Sequence, residues 1–357
     1  MEQVRVAIVG LGIGQSVAKG FAGNPRGVVT ALCDLVEERM HAFAQEQALE
    51  PVKFYTDYVA LCHDPEIDAV FVGTPNQLHV PVALEAIRNG KHVLVTKPLA
   101  DSLAAARQVV TAAEAAGVVN MMAMVGRYHP SPREVRRMIA AGEFGEVYYA
   151  RARTLRRAGI PGWNTGFVTA GGGVFRDLGV HALDAVWWMM GMPRPVSVIG
   201  VAGAKFGPRG TGYWDYRPAL PGLAEQFAVD DYAGGFIRFD TGAGLQIETF
   251  WASHHPDERT MEIFGTEAGA AMEPLTIYRT VDGFEVDNHV TFAKGPTPWE
   301  VMADHFLDCI VDGVPCEAPL RHGMIVQEML EAVLESGATG REIRLDPESG
   351  NDARVLR

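Results

Sequence analysis

The sequence predicts an α/β protein of two domains, a doubly wound parallel sheet followed by an α+β domain with a mostly antiparallel open sheet. Three observations carry this. Strand-like and helical segments alternate from Val4 to about Met124. The first strand-like segment ends in a glycine turn, Gly10-Leu11-Gly12-Ile13-Gly14. After Ala150 the alternation stops, and short strand-like runs succeed one another. Alternation implies parallel strands with crossover helices, whereas successive strands imply hairpins. A chain of 357 residues is long for one average domain, and two domains are expected, 1–122 and 123–357.

Val4–Val9 (VRVAIV) is a short β-rich run, a helix follows from about Ser16 to Phe21, and a second strand, Gly27–Cys33, ends at Asp34. A strand, a glycine turn, a helix, a strand and an acid about 20 residues on form the dinucleotide-binding fingerprint. The glycines let the backbone close on a pyrophosphate. The helix start supplies amides and the positive end of a dipole. Asp34 accepts ribose hydroxyls and repels a 2′-phosphate, and Leu35 beside it brings no cation, so NAD is expected rather than NADP. The fingerprint's third glycine falls on Gln15, and Gly14 is expected to take over the close helix–strand packing. The alternative is a glycine turn that binds no nucleotide.

The alternation continues with a strand over Asp68–Gly73, the turn Thr74-Pro75-Asn76, and a helix from about His79 to Arg88. A strand over His92–Thr96 leads to Lys97-Pro98-Leu99; Asp101 or Ser102 caps a helix reaching about Ala116, and Val118–Met124 is a further strand,. In open α/β sheets ligands lie beyond the carboxyl ends of the strands. Gly10, Asp34, Thr74, Asn76 and Lys97 all fall at such ends, which predicts a shared cofactor cleft.

The stretch from Gly171-Gly172-Gly173 through Asp184 predicts a helix that is apolar almost all round, hence buried,. Asp177, His181 and Asp184 share one face of it, at spacings of four and three,. Burying a carboxylate costs several kcal/mol unless it is paired, so this face meets a polar cavity, a partner charge or a ligand. A structural Asp–His pair in the core is the other reading. The second domain's strands are expected at Val147–Leu155, Val196–Val201, Asp231–Phe239, Leu245–Trp251, Arg259–Phe264 and Leu275–Thr280, with 240–244 as a hairpin loop. Two amphipathic helices, about Trp299–Asp312 and Arg321–Glu335, precede a polar tail from Asp346.

A net charge of −13 argues against nucleic acid, which needs a basic face,. It does not exclude an anionic cofactor held by backbone amides. Hydrophobic residues at 48% and charged residues at 21% support a large core,. Cys33, Cys62, Cys309 and Cys316 have no metal-type spacing, so no metal is expected and the thiols are expected to be reduced,. The pair His254-His255 has no further ligand spacing,. A strand begins at Val4 with no leader pattern before it, and no apolar run matches a membrane span, so a soluble, cytoplasmic protein without a membrane partner is expected,.

Thr74–Ala100, TPNQLHVPVALEAIRNGKHVLVTKPLA, resembles the signature of the glucose–fructose oxidoreductase / inositol dehydrogenase / rhizopine catabolism (Gfo/Idh/MocA) family. GRYHP (126–130), GEFGEV (142–147) and the GGG..D.G.H..D pattern of Gly171–Asp184 match it too. The resemblance covers nearly the whole chain. It implies a Rossmann domain that binds NAD(P), redox chemistry on a small carbohydrate or polyol, and a homo-oligomer, dimer or tetramer, built through the open sheet face. Carried over residue by residue, it makes Lys97, Asp177 and His181 catalytic. It makes Gly10, Leu11, Gly12, Ile13, Gly14, Asp34, Thr74, Pro75, Asn76, His79, Thr96 and Lys97 the cofactor-binding set. Thr96 stands where the family has Glu, removing any contact that carboxylate makes. Substrate contacts are expected from Asp177 and His181, from Arg127, from Arg157, Trp163 and Asn164 ahead of the glycine triplet, and from Tyr213, Trp214 and Tyr216 in the long loop 206–226,. Two other functions share these residues: an NAD-dependent glycosidase that oxidises C3 transiently, and a non-catalytic dinucleotide sensor.

Overall fold

The computed structural model describes residues 3–215 and 217–345. Tyr216 and the tail from Asp346 lie outside the described residues. The chain divides into two compact units, Met1–Tyr128 with Gly295–Met324, and His129–Lys294 with Ile325–Arg357. The first unit therefore runs past the expected boundary at 122 and takes back a segment near the C-terminus.

In chain order the first unit comprises β1 (Val4–Val9), α1 (Gly14–Phe21), β2 (Gly27–Cys33), α2 (Glu37–Glu46), β3 (Lys53–Tyr55), α3 (Tyr58–Cys62), β4 (Ala69–Val72), α4 (Asn76–Arg88), β5 (His92–Val95), α5 (Leu103–Ala116) and β6 (Asn120–Met122). The sheet order is β3-β2-β1-β4-β5-β6, with every pair parallel. All four residues of β4 are buried, as a strand covered on both faces requires,. Ser102, not Asp101, caps α5 by accepting from the Ala105 amide, and Gly117 ends it in the left-handed region at φ 64°,. Sequence patterning missed α2, β3 and α3. The start of α2 has no side-chain cap and the helix buries only Met40, Phe43 and Ala44, while β3 is three residues long.

The second unit begins with α6 (Pro130–Ala140) and β7 (Val147–Leu155). A π-helical turn, Phe175–Gly179, leads into α7 (Val180–Met189). Then come β8 (Pro195–Gly203), β9 (Tyr232–Phe239), β10 (Gly244–Phe250), β11 (Glu258–Gly265), β12 (Ala268–Met272), β13 (Leu275–Val281) and β14 (Phe284–His289). The chain continues through α8 (Pro298–Val311), α9 (Leu320–Thr339) and β15 (Ile343–Arg344). The nine-stranded sheet has the order β14-β13-β12-β11-β7-β10-β9-β8-β15. It is antiparallel except where β7 meets β10. All six expected strands form; β12, β14 and β15 are additional. Across one face, α7 packs on β7, β10 and β11.

α8 belongs to the first unit, against α1 and β1. A capping box between Thr297 and Glu300 starts it,. Arg26 reaches Asp308 at 2.6 Å and also pairs with Asp312. The helices approach closely because Gly20 has no side chain: a Cβ there would lie 2.7 Å from the Trp299 carbonyl oxygen. For Gly20→Ala, helix propensity contributes about 1 kcal/mol of stabilisation, while overpacking against a backbone atom costs about 1–3 kcal/mol. The clash wins, and a thermal melt of Gly20→Ala is expected to show a lower Tm than the parent. An unchanged or higher Tm would show that α8 yields at no cost.

Candidate active site

Register brings the cofactor residues to one level. Val9 is opposite Cys33 and Val72, and Val72 is opposite Val95, so Gly10, Asp34, Gly73 and Thr96 leave the sheet side by side. At Gly10 (φ 89°) a Cβ would stand 2.5 Å from the Gly73 carbonyl oxygen. At Gly14 it would stand 2.8 Å from Ile8 Cγ2, so Gly14 does supply the helix–strand packing that Gln15 cannot. At Gly12 it would meet no atom within 4 Å, which leaves the turn's backbone open to close approach. No side chain caps the start of α1. Its amides and dipole are thus oriented for an anion.

Asp34 Oδ2 accepts from the Leu11 amide at 2.9 Å and Oδ1 from the Val36 amide at 3.1 Å. Arg39 Nη1 lies 3.3 Å from Oδ2, a cation that the inspection of Leu35 did not anticipate. It comes from α2, the helix that patterning missed. Thr74 Oγ1 is buried with no hydrogen-bond partner. An open glycine backbone, an uncapped helix start, an anchored carboxylate and an unmatched hydroxyl fit a dinucleotide. His79, expected on the cofactor, is fully buried instead. Its Nδ1 faces the Pro98 carbonyl oxygen and its Nε2 that of Thr74, both at 2.7 Å. The ring therefore ties the turn after β4 to the turn after β5. Burial pushes the imidazole below its ordinary value, and the two carbonyls oppose that shift. Thr96 is buried and Lys97 half-buried.

In the second unit the glycine triplet is shaped by its neighbours. A Cβ at Gly172 would lie 2.1 Å from the Phe167 carbonyl oxygen, and one at Gly173 (φ 105°) 2.2 Å from Asp230 Oδ1. Asp230 Oδ2 accepts from the Phe175 amide at 2.9 Å, at the start of the helical segment, where a negative charge is favoured,. Phe175–Gly179 is π-helical, and Gly179 permits it, since a Cβ there would be 2.2 Å from Phe175 Cδ2. The segment carrying Asp177 thus differs from the continuous α-helix that its spacing predicts. Asp177 and His181 are half-buried whereas Asp184 is buried, which leaves Asp184 to the core. Asp177 Oδ2 accepts from Trp251 Nε1 at 3.1 Å. Burial pushes the Arg156 guanidinium below its ordinary value, and attraction to Asp177 opposes this.

The loops around 156–164 and 206–226 do come together. The Trp214 amide donates to the Ile160 carbonyl at 3.0 Å, and the rings of Trp163 and Trp214 lie 5.9 Å apart. Arg156 stacks 4.7 Å from the Trp214 centroid. Asp231 anchors the long loop, its carboxylate accepting from the amides of Lys205, Phe206 and Gly207 at 2.7–2.9 Å. Four of the expected substrate contacts have partners within the protein. Arg127 is fully buried in the first unit, where it donates to the Glu317 carbonyl and contacts His322 Nδ1. Arg157 is exposed, with its amide on Asp257, whereas Arg156 is half-buried and lies over the Trp214 ring. Asn164 caps the turn 165–167 through the Gly166 amide. Tyr213 donates to the Gly207 carbonyl at 3.2 Å and packs on the cluster of Ile160, Val168 and Trp251. Trp251, Asp230 and Asp231 were missed because their partners are remote in sequence; a tryptophan closing an expected strand was the one local sign.

Residues 4–124 match the model of the oxidoreductase family with an NAD-binding Rossmann fold, and residues 133–271 match the GFO/IDH/MocA C-terminal domain. The chain belongs to the Gfo/Idh/MocA family. The enzyme is 29% identical over 360 residues to D-glucoside 3-dehydrogenase of Escherichia coli, covering 96% of this chain and 97% of that protein. It is 27% identical over 329 residues to scyllo-inositol 2-dehydrogenase (NAD(+)) of Bacillus subtilis, covering 87% of each. Levoglucosan dehydrogenase, solved with NADH and levoglucosan, shares the fold with a TM-score of 0.83 at 22% identity, over 96% of this chain and 99% of that one.

Burial, opposed by the Phe175 amide, raises the Asp230 carboxyl above its ordinary value. The folded enzyme then holds this proton more tightly than the unfolded chain does. This contribution to stability is complete below the ordinary carboxylate range and is lost as pH rises through the raised value. Asp230→Asn keeps an oxygen for the Phe175 amide and removes the titration. Melts across the acidic-to-neutral range are expected to fall less with rising pH in the variant; parallel profiles would show that Asp230 does not titrate in this window.

Proposed function

We propose that the enzyme transfers hydride between a hydroxyl-bearing carbon of a small carbohydrate or polyol and NAD, with Lys97 and His181 as the catalytic pair. The observation that supports this is that the residues of the family motifs are present in this chain: Lys97 in the turn after β5, and Asp177 and His181 along the glycine-started helical segment. Relatives named for oxidising glucosides and inositols support the substrate class. When bound, the nicotinamide accepts the hydride. His181 takes the hydroxyl proton, which suits a side chain whose ordinary value lies near working pH. The Lys97 ammonium stabilises the developing alkoxide. Asp177, fixed by the Trp251 indole, orients and charge-balances this pair. Trp163 and Trp214 offer ring faces to a sugar, and Arg156 a cation. Asp34 supports NAD over NADP because its carboxylate, anchored by two amides, accepts ribose hydroxyls; Arg39 offsets only part of its charge.

The open face of the second sheet supports a homo-oligomer. A Cβ at Gly200 would lie 2.7 Å from the Val333 carbonyl, so α9 covers one side of β8. The alternating residues Ile199 and Val201 point the other way, 57% and 62% exposed, and Ile199 is in register with Phe236. We propose that a second copy of the chain covers this face. Light scattering is expected to give a mass of at least two chains; a single-chain mass removes the proposal.

Inositols, aldoses and glycosides assayed with NAD and with NADP test the chemistry. Net NADH build-up on a polyol or sugar is expected, faster with NAD. His181→Ala is expected to lower kcat by about 100- to 10,000-fold, the usual contribution of a general base. Aglycone release without net NADH would instead indicate transient oxidation. Full activity of His181→Ala would remove the catalytic pair.

A further inference from the structure

The four cysteines are of two kinds. Cys33, Cys62 and Cys309 are buried and Cys316 half-buried; burial pushes the thiols of Cys33 and Cys62 up to about 12. Cys309 and Cys316 instead sit with His305, the donor atoms of all three within 4.8 Å of one another. His305 and Cys309 are four residues apart on α8, one above the other,. Cys316 comes from the connection to α9, behind Gly313 (φ 68°) and the exposed Val314 and Pro315. His305 Nε2 is 3.5 Å from Cys309 Sγ and accepts the Glu317 amide at 2.9 Å. An imidazole nitrogen that accepts an N–H has its one lone pair engaged, so Nε2 is not offered to a cation in this arrangement. Beyond Cys316 the connection is pinned: the Ala318 carbonyl accepts from the Met122 amide at 2.8 Å, and the Glu317 carbonyl from Arg127. Two sulfurs within reach, one on a helix and one on a segment with a glycine pivot, are what disulfide closure requires.

We propose that Cys309 and Cys316 form a reversible dithiol–disulfide pair that is oxidised by hydroperoxides. The step balances with the peroxide as oxidant. A thiolate attacks the peroxide, forming an S–O bond and breaking O–O, and the leaving oxygen takes a proton. The second sulfur then attacks the sulfenic sulfur, forming S–S and breaking S–O, and water leaves. Two electrons pass from the sulfurs to the peroxide. The electrostatics agree. The hydrogen bond from Cys316 holds Cys309 below its ordinary value, while Cys316 is pushed up. A thiol shifted downward is the better nucleophile for this step, and Cys33 and Cys62 are shifted the other way,.

The test uses the reduced full-length chain and one equivalent of hydrogen peroxide. Both sulfurs lie in the tryptic peptide 295–321. That peptide is expected to become lighter by two hydrogens, with dithiothreitol restoring it, while the peptides of Cys33 and Cys62 stay unchanged. In Cys316→Ser, a change in the half-buried connection, the same peptide is expected to gain oxygen instead. Oxygen gain without hydrogen loss in the parent overturns the proposal, as does no reaction of this peptide. Retention of one zinc ion per chain through dialysis, lost in Cys316→Ser, assigns the group to a metal and also overturns it.

Discussion

The first unit depends on how closely β1 and β4 run together just past their last paired residues. The Gly10 amide donates to the Cys33 carbonyl and the Gly73 amide to that of Val9, both at 2.8 Å, so the turn is tied to a strand on either side. A side chain at Gly10 would collide with the Gly73 backbone. With that contact made, parallel register does the rest. Three strands end level with β1, and an acid, a hydroxyl-bearing turn and a lysine emerge beside the glycine turn. β1 lies between β2 and β4, where the strand order reverses, the position at which such sheets bind ligands,.

His79 links the two turns that follow β4 and β5. A fully buried imidazole joins two carbonyls, one on the turn after β4 and one on the turn after β5. The ring thereby couples the position of Thr74 and Asn76 to that of Lys97.

The second unit solves a similar problem with two adjacent carboxylates. The Asp230 carboxylate receives the Phe175 amide, the first of the π-helical segment, and Asp231 gathers three amides of the long loop. Neighbouring residues on one chain thus hold the helix that carries Asp177 and His181 and the loop that carries Tyr213 and Trp214. Both acids are buried; three amides meet Asp231, while the one amide on Asp230 opposes its desolvation only in part,. An acid at either position read in isolation looks like an ordinary polar residue before a strand.

What the sequence by itself determined was local or periodic. The glycine turn, the buried strands, Asp34, the cap near Ser102, the six strands of the second sheet and the two last helices follow from patterns a few residues long, whose physical causes are equally short-ranged. The Gly171–Asp184 segment was legible as the carrier of Asp177 and His181, but its π turn was not, because five residues cannot distinguish one helical period from another. Tertiary structure alone decided that Arg156 lies over the Trp214 ring, that Trp251 reaches Asp177 from 74 residues away, that Arg39 pairs with Asp34, and that Arg127 is buried in the framework. These contacts are set by the pairing of distant strands and by the packing of helices across them. No spacing within one element encodes such an arrangement, since it exists only once the whole sheet has closed its register.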